Sequence, residues 1–186
     1  KRIAYAESRT ILYCSVSQDH AKRSVRWLRR QVLFNRPWAN FFKLSLGTKK
    51  TDEWLEIHHG IEDEPISILA IGITGQTRGV NLDDFRPDLI IVDDPCDEEN
   101  TATPDQRKKI NNLFYGLAKS LAPPIDFENA LMVLLQTVLN EEDLISSTRK
   151  DPQWLSLSCS CFTKDGQSVW PERYPTKFLM DDKVAS

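Results

Sequence analysis

The sequence Leu89-Ile90-Ile91-Val92-Asp93-Asp94 decides which class of fold is expected. Its unbroken run of Leu, Ile and Val predicts a strand that is buried on both faces, as in a parallel sheet. The two aspartates follow at once, so carboxylates stand where this strand ends. Ligands of open α/β sheets bind at the carboxyl ends of the strands. The acid pair is therefore the first candidate for a functional site.

Three more apolar runs have the length of buried strands: ILYCSV at 11–16, ISILAIGIT at 66–74 and ALMVLLQ at 130–136. Amphipathic helices are predicted between them. Ser17 precedes a basic helical pattern as its N-cap. Thr103 and Gln106 predict a capping box, with Pro104 at the first helical position. Because buried strands alternate with helices, we predict an α/β fold with a three-layer, mainly parallel sheet.

The remaining segments have shorter patterns. Residues 47–52 are expected to form a turn, and residues 54–58 a strand or one arm of a hairpin. Asn140 is expected to cap a short helix. Residues 155–161 alternate Leu or Cys with Ser, which predicts a half-exposed strand. A last helix is expected after Pro175.

Composition excludes several classes of protein. The 186 residues include 40% hydrophobic and 27% charged residues, with a net charge of −3, as expected of a globular chain with its own core. No apolar run reaches the roughly 18 residues of a membrane helix, and no signal peptide is recognisable, so no membrane partner is expected. The four cysteines lack Cys-x-x-Cys spacing, which argues against a disulfide scaffold and a zinc site.

Charge is distributed unevenly along the chain. Residues 1–50 contain twelve Lys or Arg and two acids, whereas the remainder contains twelve bases and twenty-five acids. Such a basic segment can contact an anionic polymer such as DNA. It can also be the solvated face of a helix, and charge alone favours this second interpretation.

Asp93 and Asp94 have the arrangement of a Walker B motif. A carboxylate held by a buried strand can bind Mg²⁺ beside a nucleotide's phosphates, and its neighbour can orient or deprotonate the attacking water. The second residue of this motif is usually Glu, which is one methylene longer. The alternative is a pair of solvated acids that begins a turn, and the motif alone leaves it open.

Other polar residues extend this candidate site. Gln136 and Thr137 end the next predicted strand, as in a motif that senses the γ-phosphate and couples hydrolysis to movement, so both are candidate nucleotide-binding residues. Arg78 lies between Gly75 and Gly79, whose freedom allows a close approach to a ligand. It is a candidate arginine finger, in cis or in trans. An ion pair with a nearby loop acid is an equally open role for it.

The order of these motifs resembles that of the large terminase subunit of tailed bacteriophages, most closely the DNA-packaging ATPase (DNA maturase) of short-tailed phages. The likeness runs from Ile11 to about Pro175. Its most specific blocks are GITGQTRG at 72–79 and DLIIVDD at 88–94. Supporting blocks in the same order are ILYCSVSQDHAKRSVRWLRR at 11–30, VLLQT at 133–137, EEDLI at 141–145 and WPERYP at 170–175.

The resemblance implies a P-loop ATPase of the additional-strand, RecA-like class, with ATP and Mg²⁺ as cofactors. Family members form a ring that pumps double-stranded DNA through the portal protein into an empty capsid, with a small terminase subunit as partner and an endonuclease in a separate domain. The implied location is the host cytoplasm, at the portal vertex of the procapsid. Carried over by position, Asp93 serves Mg²⁺, Asp94 is the catalytic carboxylate, Thr137 belongs to the coupling motif and Arg78 is the candidate finger.

One family element is missing from the sequence. It contains no Gly-rich loop ending in Gly-Lys-Ser/Thr, and GTKKT at 47–51 does not qualify. In the family this loop precedes the strand at Ile11 and the nuclease follows the ATPase. We therefore expect a partial ATPase domain at residues 1–175 and the start of a linker at residues 176–186. Alone, this chain is expected neither to bind ATP tightly nor to hydrolyse it. Glu98 or Glu99 could replace Asp94 in activating water.

The sequence leaves two other functions open. A metal-dependent endonuclease could use Asp88, Asp93 and Asp94 as ligands of two ions. Against it, strand alternation is expected to turn Asp93 and Asp94 to opposite faces, and no third acid on another strand is evident. A non-catalytic docking module could instead bind the portal or the small subunit through three aromatic residues, Trp38, Phe41 and Phe42.

Overall fold

A computed structural model describes residues 1–61, 63–75 and 86–185. The strands are β1 (Thr10–Ser15), β2 (Ser45–Lys50), β3 (Trp54–His58), β4 (Ile66–Gly72), β5 (Leu89–Asp93) and β6 (Leu131–Leu135). The helices are α1 (Gln18–Phe34), α2 (Arg36–Phe41), α3 (Glu98–Thr101), α4 (Pro104–Ala118), α5 (Leu144–Lys150) and α6 (Thr176–Ala185). The chain divides into two compact units, Lys1–Lys150 and Asp151–Ser186. The expected boundary at residue 175 stays a prediction.

One mixed sheet of six strands, in the order β2-β3-β4-β1-β5-β6, organises the first unit. The pairs β4-β1, β1-β5 and β5-β6 are parallel, whereas β2-β3 and β3-β4 are antiparallel. The predicted α/β class with a mostly parallel sheet is therefore confirmed. The antiparallel part comes from the β2-β3 hairpin, which extends one edge of the sheet.

The central strands are buried because their sequences are apolar on both faces. Ile11 of β1 packs in one cluster with Ala21 and Val25 of α1 and Ile68 of β4. Residues of the opposite parity face away from α1, and they are fully buried as well: Leu12, Cys14, Ile90 and Val92. This two-sided burial agrees with the prediction made from their unbroken apolar runs.

The helix starts follow the predicted capping chemistry. The Ser17 side chain accepts a hydrogen bond from the backbone N–H of His20 at the start of α1. At α4, Thr103 and Gln106 form the reciprocal capping box, with Pro104 in the first turn. Residues 175–185 contain the expected last helix, α6.

The segment at 47–52 is not the predicted turn. Gly47 and the following residues belong to β2, and the hairpin turn lies at residues 51–53. The side chain of Glu56 on β3 explains this, because its Oε2 accepts hydrogen bonds from the Thr48 hydroxyl (2.7 Å) and the Lys49 N–H (2.9 Å). A buried carboxylate on the neighbouring strand thus holds this polar sequence extended.

The strand at 130–136 forms, but it is not buried as predicted. β6 is an edge strand that pairs with β5, and its terminal residues Leu131 and Leu135 are 44% and 52% exposed. No other strand in the described ranges pairs with its free side. An apolar sequence predicts that a strand will be covered, but not which part of the structure covers it.

Two further predictions were wrong. Residues 155–161 form no strand, and Leu155 and Leu157 are about nine-tenths exposed. Alternation makes a strand only where a partner supplies hydrogen bonds, and none pairs here within the described residues. The cap of α5 is Asp143 rather than Asn140: the Ser146 N–H donates to Asp143 Oδ1 (2.9 Å), whereas Asn140 Oδ1 accepts from Glu142 (2.9 Å).

Candidate functional site

The carboxyl ends of the parallel strands form one row. Ser15 of β1 pairs with Gly72 of β4 on one side and with Asp93 of β5 on the other, and Asp93 pairs with Leu135 of β6. The residues that follow each strand therefore meet at this edge of the sheet. This is where α/β folds bind ligands.

Gly72 allows α1 to begin at this edge. A Cβ at this position would lie 2.7 Å from the backbone nitrogen of Gln18 and 3.0 Å from the carbonyl carbon of Ser17, which is too close for any other residue. The first turn of α1 therefore lies directly against the end of β4. The positive end of the helix dipole stands beside the row of strand ends as a result.

Asp93 is half-buried at the end of β5 and has a protein partner. The hydroxyl of Tyr13, on the neighbouring strand β1, donates a hydrogen bond to Asp93 Oδ2. The buried strand fixes the backbone of this residue and the tyrosine fixes its carboxylate. The apolar run predicts the strand, but no local pattern predicts the contact with the tyrosine.

Asp94 is exposed and stands outside the strand. Its backbone adopts a positive φ of 43°, the left-handed region that Asp and Asn tolerate better than most residues. Its N–H still donates to the Leu135 carbonyl (2.9 Å), so the backbone at Asp94 remains hydrogen-bonded to β6 where the turn after β5 begins. This conformation ends the strand alternation. Asp93 and Asp94 line the same cavity although strand alternation was expected to turn them to opposite faces.

That cavity, about 570 Å³ and open to solvent, brings most of the predicted site together. Asp93, Asp94, Gln136 and Thr137 all line it. Because Thr137 stands only two residues beyond Leu135, the β-sheet partner of Asp93, the two predicted motifs meet as the sequence suggested. A third acid, Asp97, also lines the cavity and caps α3.

Gln136 braces the loops rather than projecting freely into the cavity. Its Oε1 accepts a hydrogen bond from the backbone N–H of Cys96 (3.1 Å), and its Nε2 donates to the Thr137 carbonyl (3.0 Å). The loop after β5 and the loop after β6 are thereby tied to each other. Gln136 thus positions the backbone that carries both predicted motifs.

Asp143 organises the chain behind Thr137. It is fully buried and its Oδ2 accepts from the N–H groups of Leu139 (2.8 Å) and Asn140 (3.1 Å). Burial disfavours the charged form, but the hydrogen bonds from Ser146, Leu139 and Asn140 outweigh it and hold the pKa of Asp143 below its usual value. An ionised carboxylate therefore maintains the shape of this loop.

The basic helix α1 has two distinct sides. Lys22 pairs with Glu53 (3.2 Å), and Arg26 and Arg29 pair with Asp52 (2.6 and 2.9 Å), so these bases hold the β2-β3 hairpin. Arg23 instead lines the cavity of the acid pair, together with His20, and has no ion pair in the described ranges. The local sequence does not separate these bases, because Arg23 and Arg26 have the same three-residue spacing as His20 and Arg23. What separates them is the position of the hairpin acids Asp52 and Glu53.

Arg78, the candidate arginine finger, lies outside the described residues. Glu98 and Glu99, the alternative water-activating residues, are exposed on α3 and do not line the cavity. This leaves Asp94 and Asp97 as the carboxylates beside Asp93.

Asp88 is separated from the acid pair by the whole of β5. It is 2% exposed at the opposite end of that strand, where its Oδ2 accepts from the N–H groups of Arg9 (2.6 Å) and Thr10 (3.0 Å). At roughly 3.3 Å per residue, its backbone stands about 16 Å from that of Asp93. The alternative ligand set of Asp88, Asp93 and Asp94 was therefore wrong.

The acid pair suits Mg²⁺ bound together with a ligand better than an ion held by protein alone. Mg²⁺ typically takes one or two carboxylates and completes its shell with water and substrate phosphates. Asp93 and Asp94 offer two carboxylates at an open cavity. Across the described residues, no group of three or more His, Cys, Asp or Glu side chains is placed to hold a metal.

The two buried cysteines, Cys14 and Cys96, are protonated thiols. Burial raises the pKa of Cys14 to about 12, and burial followed by the charge of Asp143 raises that of Cys96 to about 11. Both thiols therefore stay protonated at neutral pH, whereas a nucleophilic cysteine needs the thiolate. Cys159 and Cys161 are free and exposed.

Only one of the three aromatic residues considered for docking is largely exposed. Phe41 is 79% exposed, whereas Trp38 and Phe42 pack against the core, and Phe41 meets Phe42 edge-to-face with ring centroids 4.9 Å apart. Trp38 and Phe42 thus contribute to the packing of the core, and Phe41 is the one of the three that is largely open to solvent.

Within the described ranges, no helix is both long enough and apolar enough to cross a membrane. No protein-family model matches the sequence, and no curated protein matches it closely enough to indicate a relationship.

Proposed function

We propose that this chain belongs to the ATPase of a viral DNA-packaging motor, a terminase large subunit. The observation that carries the proposal is the meeting of Asp93, Asp94 and Thr137 at one cavity on the carboxyl edge of the sheet. Two separate sequence motifs, about forty residues apart, had predicted this meeting. Had Thr137 lain away from Asp93, the proposal would have failed.

Each residue has a role in the proposed hydrolysis. Asp93, fixed by β5 and by Tyr13, binds Mg²⁺ that accompanies the nucleotide; the ion supplies charge neutralisation to the phosphates. Asp94 is exposed beside it and accepts a hydrogen bond from the attacking water, which it orients or deprotonates. Thr137 lies on the loop that Gln136 ties to the acid loop, so a change at one loop is transmitted to the other.

The proposed ATPase needs a phosphate-binding loop, which this sequence does not contain. β6 supports a place for it, because its free edge is one strand away from β5, which carries the acid pair. Exposed apolar edge strands without charge or proline invite pairing with a further strand. β6 has the sequence Leu-Met-Val-Leu-Leu, and Leu135 at its carboxyl end is half-exposed. A parallel strand added there would end beside Leu135 and the loop of Thr137, one strand away from Asp93.

The remaining parts of the proposal follow from the resemblance in the sequence. They are a homo-oligomeric ring, double-stranded DNA as the translocated substrate, a portal protein and a small terminase subunit as partners, an endonuclease in another domain and a location at the portal vertex of the procapsid in the host cytoplasm. Of the basic residues in α1, Lys22, Arg26 and Arg29 are engaged by hairpin acids, which leaves Arg23 and Arg30 as the bases of that helix without a recorded ion pair in the described ranges.

The test is ATP hydrolysis by the full-length protein with Asp93→Asn, compared with Asp126→Asn. Asp126 is exposed in a turn and lies outside the cavity, so its change removes the same charge without touching the site. We expect Asp93→Asn to lower kcat at least 100-fold and Asp126→Asn to leave it within twofold (about 0.4 kcal/mol). Near-normal turnover in Asp93→Asn would remove the assignment of this acid to the nucleotide's metal.

A further inference from the structure

Tyr13 and Asp93 form a pair across two adjacent parallel strands. Tyr13 of β1 is the register partner of Ile91 on β5, and Asp93 stands two residues further along that strand. Side chains two residues apart lie on the same face of a strand, so Tyr13 and Asp93 lie diagonally on the face covered by α1. The Tyr13 hydroxyl donates a hydrogen bond to Asp93 Oδ2. Among the described residues, Tyr13 is the side chain that binds this carboxylate.

The tyrosine ring is held by apolar neighbours while its hydroxyl stands at the cavity edge. Tyr13 packs against the cluster that contains Ile11, Val25 and Leu89. It also lines an open groove of about 680 Å³ on the α1 side of the sheet, whereas Asp93 lines the cavity at the strand ends. A ring fixed in this way presents its hydroxyl in one direction.

The hydrogen bond from Tyr13 uses one of the two oxygens of the Asp93 carboxylate, Oδ2. The other oxygen, Oδ1, is left for an ion at the cavity.

We propose that Tyr13 is a positioning residue that orients the Asp93 carboxylate for a divalent cation. The inference rests on the proposed function, because it takes Asp93 as a metal ligand. Hydrogen bonds to metal-binding carboxylates fix their orientation, and losing such a partner typically lowers metal affinity 10- to 100-fold. A purely structural tyrosine would change stability and leave metal affinity unchanged.

The experiment measures Mn²⁺ binding to the full-length protein, in the presence of a non-hydrolysable ATP analogue, by electron paramagnetic resonance. The variants are Tyr13→Phe, Asp93→Asn and the double variant, with Tyr115→Phe as a control that removes a half-buried tyrosine hydroxyl on α4, outside the cavity. We expect Tyr13→Phe to weaken Mn²⁺ about tenfold and Tyr115→Phe to leave it within twofold. Thermal unfolding of each variant checks that all of them are folded at the temperature of the titration.

The double variant tests whether Tyr13 changes the Mn²⁺ affinity through Asp93. If Tyr13 acts through Asp93, Tyr13→Phe causes no further loss once Asp93 is Asn, because the pair is then already broken. An equal loss in both backgrounds overturns the positioning role.

Two other results separate the failure of this inference from that of the proposed function. If Asp93→Asn weakens Mn²⁺ and Tyr13→Phe does not, the tyrosine role is wrong and the acid assignment stands. If Asp93→Asn leaves Mn²⁺ binding unchanged, or the wild-type protein shows no saturable site, Tyr13 has no ligand to position; hydrolysis by the full-length Asp93→Asn protein then decides the proposed function.

Discussion

The side chain of Gln136 accepts a hydrogen bond from the backbone N–H of Cys96, with 3.1 Å between Oε1 and nitrogen. This bond joins the loop that follows the acid pair to the loop that contains Thr137. In the proposed motor, these loops must move together when the nucleotide changes. In this proposal, Gln136 couples the two loops and also lines the cavity of the acid pair.

We expect Gln136→Ala to lower the free energy of unfolding by about 1 kcal/mol, the usual worth of one such hydrogen bond. The midpoint of thermal unfolding, followed by circular dichroism, should fall by about 2–5 °C. Gln153→Ala, at an exposed position of the second unit, is the control. Equal midpoints for the two variants would show that the loop contact contributes nothing to stability.

Two substitutions of Asp94 separate the chemical role of its carboxylate from the strain of its backbone. Its φ of 43° suits Asn and Gly better than Ala, which costs roughly 1 kcal/mol more in this region. We expect Asp94→Asn to retain wild-type stability and Asp94→Ala to unfold at a lower temperature, while both lose ATP hydrolysis in the full-length protein. Hydrolysis retained in Asp94→Asn would transfer the water-activating role to another residue, with Asp97 as the nearest choice in the cavity.

Among the described residues, Arg23 is the arginine that lines the cavity of the acid pair, and Arg30 is its matched control. Arg30 lies on the same helix, is exposed, and does not line the cavity. In the full-length protein we expect Arg23→Ala to weaken the binding of Mg-ATP about tenfold, or about 1.4 kcal/mol, through loss of a charge-assisted contact to phosphate. Isothermal titration calorimetry measures this directly. The same loss in Arg30→Ala would indicate a general effect of net charge.

Asp143 predicts a pH dependence of stability. Its pKa is lowered in the folded protein, so the stabilisation from its ionised form is complete above the ordinary Asp value near 3.9 and is lost as pH falls through the lower folded value. We expect Asp143→Asn to unfold roughly 2–3 kcal/mol more easily at pH 7, because an amide cannot accept all three N–H donors. The deficit should shrink below pH 4. Denaturant titrations at pH 7 and pH 3 measure it, and an unchanged deficit would contradict the assigned charge.

The local sequence was sufficient wherever neighbouring residues alone decide the structure. The caps at Ser17 and Thr103 formed as predicted, because capping is an interaction over three residues. The run that ends in Asp93 became a buried parallel strand, since an unbroken apolar sequence is stable only where both faces are covered. The sheet edge that collects the strand ends followed from this alternation of strands and helices.

Tertiary structure decided everything that depends on a partner from elsewhere in the chain. Residues 155–161 have the pattern of a strand but form no strand ladder with any described residue. Residues 131–135 form a strand with one neighbour among the described residues. The positive φ of Asp94 placed two acids in one cavity, and the register of β1 against β5 brought Tyr13 to Asp93. A sequence states which side chains and local hydrogen bonds are available; long-range packing selects which of them meet, because strand pairing is satisfied between distant segments.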